Sequence, residues 1–132
     1  MTTAVRFARF NVVGALGIVV QLTMVAVLST WAGVDPTVAS AAGVIAAVGH
    51  NFAWHVRWTW RDRQLRGRPA AAAFVRFAGI NGVVSLGGTV AMIPALTLVA
   101  HLPPVAANVV TIAICGGINF TLAHRLAFRS QH

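Results

Sequence analysis

His50-Asn51-Phe52-Ala53-Trp54-His55-Val56-Arg57-Trp58-Thr59-Trp60-Arg61 is where the sequence changes character. A long apolar run precedes it, and the densest group of charges follows it. Its skeleton returns near the end of the chain as Asn119-Phe120, then Arg125, then Phe128-Arg129. Both copies read Asn-Phe, four residues, Arg, two residues, an aromatic, Arg. The chain therefore divides into two similar halves, each closing on this element.

Composition sets the solvent. Of 132 residues, 58% are hydrophobic and only 9% charged, whereas an ordinary soluble domain carries about 25% charged residues. A core of this size cannot hide so much apolar surface, so most of it is expected to face lipid. The net charge of +8 raises the question of nucleic acid. All the basic side chains are arginines, however, and they fall in three short segments between apolar runs, the pattern of membrane loops. Nucleic acid is therefore not an expected partner. The single cysteine, Cys115, lies in the last apolar run with no metal-ligand spacing around it, and reads as a small buried helix residue.

Along the chain, Arg6 and Arg9 precede a run from about Phe10 to Ala32. A signal peptide has a shorter apolar region and a cleavage site. A helix of roughly 23 residues spans about 34 Å, enough to cross a bilayer. Gly33-Val34-Asp35-Pro36 reads as a tight turn, with Asp35 capping the next helix and Pro36 at its first position. The second run, from about Thr37 to Trp54, continues helically into the opening stretch. Residues 61–76 read as the main loop, with a third helix beginning at the membrane surface over Ala70 to Val75. The third run, about Phe77 to Ala100, contains Pro94, which predicts a kink. After His101-Leu102-Pro103-Pro104 the fourth run covers about Val105 to His124.

The expected fold is thus all-α and polytopic: one membrane domain over 1–132, with four transmembrane helices in two hairpins. The first repeat is 5–61, the basic cytoplasmic loop 62–74, and the second repeat 75–129. No arginine lies in the 33–37 or 101–104 turns. The positive-inside rule then puts both termini and the central loop in the cytoplasm. Trp54, Trp58 and Trp60 are expected to form an interfacial belt, with Trp31 at the opposite interface.

The halves align in two registers. Val5-Arg6-Phe7-Ala8 matches Val75-Arg76-Phe77-Ala78 at a spacing of 70, which also pairs Asn11 with Asn81 and Gly17 with Gly87. A spacing of 68 pairs Pro36 with Pro104, Ser40 with Asn108, and the opening stretch with its copy. Two spans per half make the repeat parallel, with a pseudo-two-fold axis along the membrane normal.

The chemistry available is limited. Asp35 and Asp62 are the only acids, and both sit at loops. No paired-carboxylate site, Ser-His-Asp arrangement or metal cluster is legible, so neither an enzyme nor a cofactor is expected. What remains is amide, imidazole and guanidinium near the cytoplasmic side. Arg6, Asn51, Arg57, Arg76, Asn119 and Arg125 form the candidate anion site, with Asn11, His50, His55, Asn81 and His124 in support. A lone asparagine here more often joins helices, and a lone arginine more often snorkels to water. The repeated Asn-Phe-x4-Arg spacing favours a shared site, because gluing helices needs no arginine at a fixed distance. Guanidinium forks match phosphate oxygens, and a phosphate on a long-chain lipid would be reachable from the bilayer. On an ideal helix, however, Asn51 and Arg57 point about 120° apart. They share a site only if Arg57 bends back or if different helices supply the two groups. The glycines, among them Gly17, Gly43, Gly88 and Gly117, allow close helix approach.

Arg6-Phe7 followed by Gly14, Asn51-Phe52…Arg57…Trp60, Arg76-Phe77, and Asn119-Phe120…Arg125…Phe128 together resemble the GtrA-like family of small polytopic membrane proteins over nearly the whole chain. The first copy has Trp60 where that family more often has Phe. The resemblance implies a role in cell-surface polysaccharide assembly in a bacterial-type cytoplasmic membrane. The implied activity is flipping of polyprenyl-phosphate-linked sugars, or of polyprenyl phosphate, between leaflets. The lipid phosphate would then be the ligand of the arginine and asparagine cluster, and a homodimer would give the head group room. One alternative is a membrane adaptor that recruits or stabilises a polyprenyl-phosphate glycosyltransferase. The other is a small multidrug-type exporter, disfavoured by the lack of an intramembrane acid.

Overall fold

Asp35 caps the second helix as its place before Pro36 implies: its Oδ1 accepts from the backbone N–H of Val38 at 3.3 Å. In a computed structural model, which describes residues 1–128, the helices are α1 (Thr3–Ala26), α2 (Pro36–Trp54), α3 (Gly67–Gly87) and α4 (Pro104–Leu122). Thr2 caps α1, its hydroxyl accepting from the N–H of Val5. Each helix is prolonged by wider π turns: Val27–Trp31, His55–Thr59, Gly88–Met92 with Ala95–Val99, and Ala123–Ala127. No strand occurs among the described residues. Arg129, the last position of the second sequence copy, lies outside them.

Among the described residues three stretches are long and apolar enough to cross a membrane: Thr3–Trp31, Gly67–Val99 and Val109–Ala127. Their surface confirms the solvent read from composition, since large apolar side chains such as Val83, Leu98 and Ile112 stand mostly exposed. Among the described residues α2 does not meet the same measure, because His50, Asn51 and His55 interrupt its C-terminal end.

The chain forms two compact units, Met1–Leu65 and Arg66–His132. In the first, α1 packs along α2. The approach is closest at Gly43, where an added Cβ would lie 2.9 Å from the backbone oxygen of Gln21. In the second, α3 packs on α4 and its π turn. Cys115 lies there as a buried helix residue, its Sγ donating weakly to the Val84 carbonyl at 3.6 Å, with Gly88 leaving room for it.

The units share backbone features 68 residues apart. Gly33 (φ 65) and His101 (φ 54) both turn the chain left-handed after a π turn. The N–H groups of Val34 and Leu102 then close back on Leu28 and Leu96, each at 2.9 Å. Trp60 and Phe128 end the π turns after α2 and α4 with matching backbone angles. The N-terminal parts of α1 and α3 follow another register. Phe10 packs against Trp60, and Phe77 against Phe128. The 70-residue register would instead match Phe77, 1% exposed, with Phe7, 41% exposed. The additional π turn Gly88–Met92 accounts for the slip, since a π turn takes up more residues than an α turn and shifts everything before it. Arg6 thereby corresponds to Ala73, which is also buried, and not to Arg76.

Pro94 stands between the two π turns of α3. It has no N–H to donate, and the Thr97 hydroxyl donates to the Ile93 carbonyl at 2.8 Å within the loosened stretch. The third helix begins at Gly67, three residues before the expected Ala70, and Gly67 itself takes a left-handed φ of 57, where the chain turns into the helix.

Candidate anion site

Trp60 builds the end of the first unit where α2 runs out. Its ring is fully buried, edge-on to Phe10 (6.1 Å between centroids) and to His55 (5.2 Å). His55 lies flat on Phe10 at 4.8 Å, and its Nδ1 is hydrogen-bonded to the buried Thr59 hydroxyl at 3.0 Å. Trp60 is thus a core residue and does not belong to the expected belt, which leaves Trp54 and Trp31 exposed and Trp58 half-buried. An aromatic this large contributes more through packing than an interfacial anchor does. His55 is sealed at the same place, 1% exposed.

With Trp60 buried on one side and Leu65 on the other, the short turn Arg61–Arg63 is pinned. That turn presents Asp62 to α1. Arg6, 8% exposed, donates from Nη2 to Asp62 Oδ2 at 2.7 Å. Arg63 Nε stands 3.9 Å from the same oxygen. The Nε atoms of Arg6 and Arg63 are buried and lack hydrogen-bond partners among the described residues. Two guanidiniums therefore share one carboxylate, whose side chain is 48% exposed. A buried donor left unpaired costs about 1–3 kcal/mol, so the pocket is under-supplied with acceptors. Beside it Arg9 donates to the Trp58 carbonyl at 3.0 Å and lies over the Trp58 ring at 5.0 Å, capping the end of α2.

The other expected site residues are more scattered. Asn51 turns its amide toward α1, where Gly17 leaves the space for it, and its Oδ1 lies 3.3 Å from His50 Nδ1. Arg57 is exposed and donates to the Ala53 carbonyl at 3.5 Å. Asn51 and Arg57 are not in contact, as helix geometry foreshadowed. Asn11 is exposed and donates within its own helix to the Phe7 carbonyl at 2.8 Å. In the second unit Asn119 is 7% exposed, and its Oδ1 has no hydrogen-bond partner. Arg76 and Arg125 are exposed, Asn81 is half-buried, and His124 stacks on Phe120 at 5.9 Å. No hydrogen bond joins Asn119 to Arg125 among the described residues. Within each unit, then, the expected residues do not converge.

Sequence reasoning missed Asp62 and Arg63 as members of this cluster, and Arg9 beside it. One signal was available: Asp62 is one of two acids in the chain and stands between Arg61 and Arg63. No group of three His, Cys, Asp or Glu side chains suited to a metal occurs among the described residues.

Apolar helices of membrane-crossing length, with arginines gathered at one end of each unit, define a helical integral membrane protein. Residues 9–130 match the family described as GtrA/DPMS, transmembrane domain, and the chain belongs to that family. Compared with curated proteins, the chain has no match.

Proposed function

We propose that this protein moves polyprenyl-phosphate-linked sugar, or polyprenyl phosphate, across a bacterial cytoplasmic membrane for cell-surface polysaccharide synthesis, without catalysing a reaction. The observation that carries the proposal is the under-neutralised pair Arg6 and Arg63 at the end of helices whose sides are exposed and apolar. A lipid phosphate would be held by guanidiniums there while its chain stayed against the apolar helix surface. Membership of the GtrA/DPMS transmembrane family agrees with a lipid-linked sugar as cargo. In this reading α2 is a fourth span and the two units are parallel hairpins. Both termini and the 61–66 segment are cytoplasmic, and a homodimer is the working form. Exposed Arg57, Arg76 and Arg125 would collect the anion, and Asn51 and Asn119 would orient it.

The exposed arginines Arg61, Arg66 and Arg68 around the connecting segment favour a second reading, an adaptor that docks a polyprenyl-phosphate glycosyltransferase. Liposomes separate the two. Purified protein is reconstituted with polyprenyl-phosphate sugar in one leaflet, and its appearance in the other is followed. The flippase reading expects exchange well above empty liposomes, reduced at least tenfold by Arg6→Gln. Exchange no faster than in empty liposomes, with the protein folded, would discard it in favour of the adaptor.

A further inference from the structure

The mismatch between two guanidiniums and one carboxylate bears on how the site is regulated. Asp62 Oδ2 occupies the point toward which both Arg6 and Arg63 are turned, 2.7 Å and 3.9 Å away. Arg6 is more than nine-tenths buried, yet its Nε has no acceptor, and neither has Arg63 Nε. A single carboxylate held end-on cannot serve these donors, whereas a phosphate monoester offers three oxygens and about two negative charges. Asp62 is also the movable partner. Its side chain is half-exposed, and it sits on a three-residue turn followed by left-handed Gln64. Arg6, by contrast, is fixed on α1.

Resting on the lipid-phosphate reading above, we infer that Asp62 is an internal stand-in for the ligand. It closes the Arg6–Arg63 site when empty and is displaced into water by a phosphate monoester. Polyprenyl monophosphate and free phosphate share this chemistry, whereas a polyprenyl-phosphate sugar is a diester with one charge and displaces Asp62 less readily. The exposed apolar residues of α1 beside the site, among them Val5 and Phe7, favour a phosphate that carries an apolar chain. The device belongs to the first unit only, because Ala73 stands at the corresponding buried position of α3. The family match begins at residue 9, so Arg6 lies outside it.

The test is binding to the full chain in nanodiscs, titrated in parallel with a polyprenyl monophosphate, with phosphatidylglycerol and with inorganic phosphate. Asp62→Asn keeps the size of the side chain and removes the competitor. It is expected to bind the polyprenyl monophosphate roughly two to five times more tightly than the unaltered protein, the range set by a half-exposed ion pair. Arg63→Gln leaves the Arg6–Asp62 contact intact and is expected to bind several-fold more weakly. Phosphatidylglycerol, a diester with one charge, is expected to gain less from Asp62→Asn. Equal gains for inorganic phosphate and the lipid would overturn the role of the apolar chain. If the unaltered protein binds the monophosphate but Asp62→Asn binds it no better, Asp62 is a structural ion-pair partner and the inference fails while the functional reading stands. Should Asp62→Asn not fold, unchanged binding in Arg63→Gln has the same consequence. Absence of binding in every protein removes the functional reading and the inference together.

Discussion

Glycine and tryptophan positions that look alike in the sequence have different energetic weight. At Gly43 an added Cβ meets a backbone oxygen at 2.9 Å, which cannot rotate away, so α1 and α2 would have to separate. Gly43→Ala is expected to destabilise the protein by about 1–3 kcal/mol in detergent unfolding. Gly49→Ala, where nothing lies within 4 Å, should stay within about 0.5 kcal/mol. Gly17→Ala differs again, because its Cβ would meet the Asn51 amide, which can swing aside. If Asn51 orients a ligand, this substitution should slow leaflet exchange more than it lowers stability. Trp60 and Trp54 form another contrast. Trp60→Ala empties the space between Phe10 and His55 and should cost about 3–5 kcal/mol. Trp54→Ala removes a side chain that is 46% exposed and should cost far less in the same unfolding measurement.

Among the elements, the π turn Gly88–Met92 sets which residues of α3 face α4. Deleting Val90 should convert this turn to the α geometry found at the same level of α1, because the π turn is what takes up the extra residue. Phe77 would then stay against Phe128. The deletion is expected to change stability by less than about 1 kcal/mol in the same unfolding measurement. Phe77→Ala should cost about 3–5 kcal/mol with or without it, and a double-mutant cycle should read no coupling. The same turn explains why the 70-residue match misled. Val75-Arg76-Phe77-Ala78 repeats the letters of Val5-Arg6-Phe7-Ala8, but the helix carrying it is offset, so Arg6 is buried and Arg76 exposed. The start of α2 was legible because a cap is local: Asp35 before Pro36 acts on the turn it touches.

For the whole molecule, the distribution of arginines makes a topological prediction. In a Cys115→Ser background, single cysteines at Thr2 and Gln64 should react with a membrane-impermeant maleimide only from the cytoplasmic side. Cysteines at Val34 and His101 should react only from the other side. Labelling of Gln64 and Val34 from the same face would remove α2 as a span and with it the paired hairpins.

The sequence by itself determined the solvent, the helical class, the turns and their caps, and the family to which the chain belongs. These rest on composition and on contacts within a few residues. Only the tertiary structure decided which arginine is buried, that Trp60 lies in the core, and that Asp62 closes on Arg6. The physical reason is the apolar solvent. In water the buried face of a helix announces itself by contrast with a polar face. In lipid both faces are apolar, so packing follows small residues, π turns and a few polar contacts. Arg6 and Asp62 are 56 residues apart, and nothing local at either position names the other.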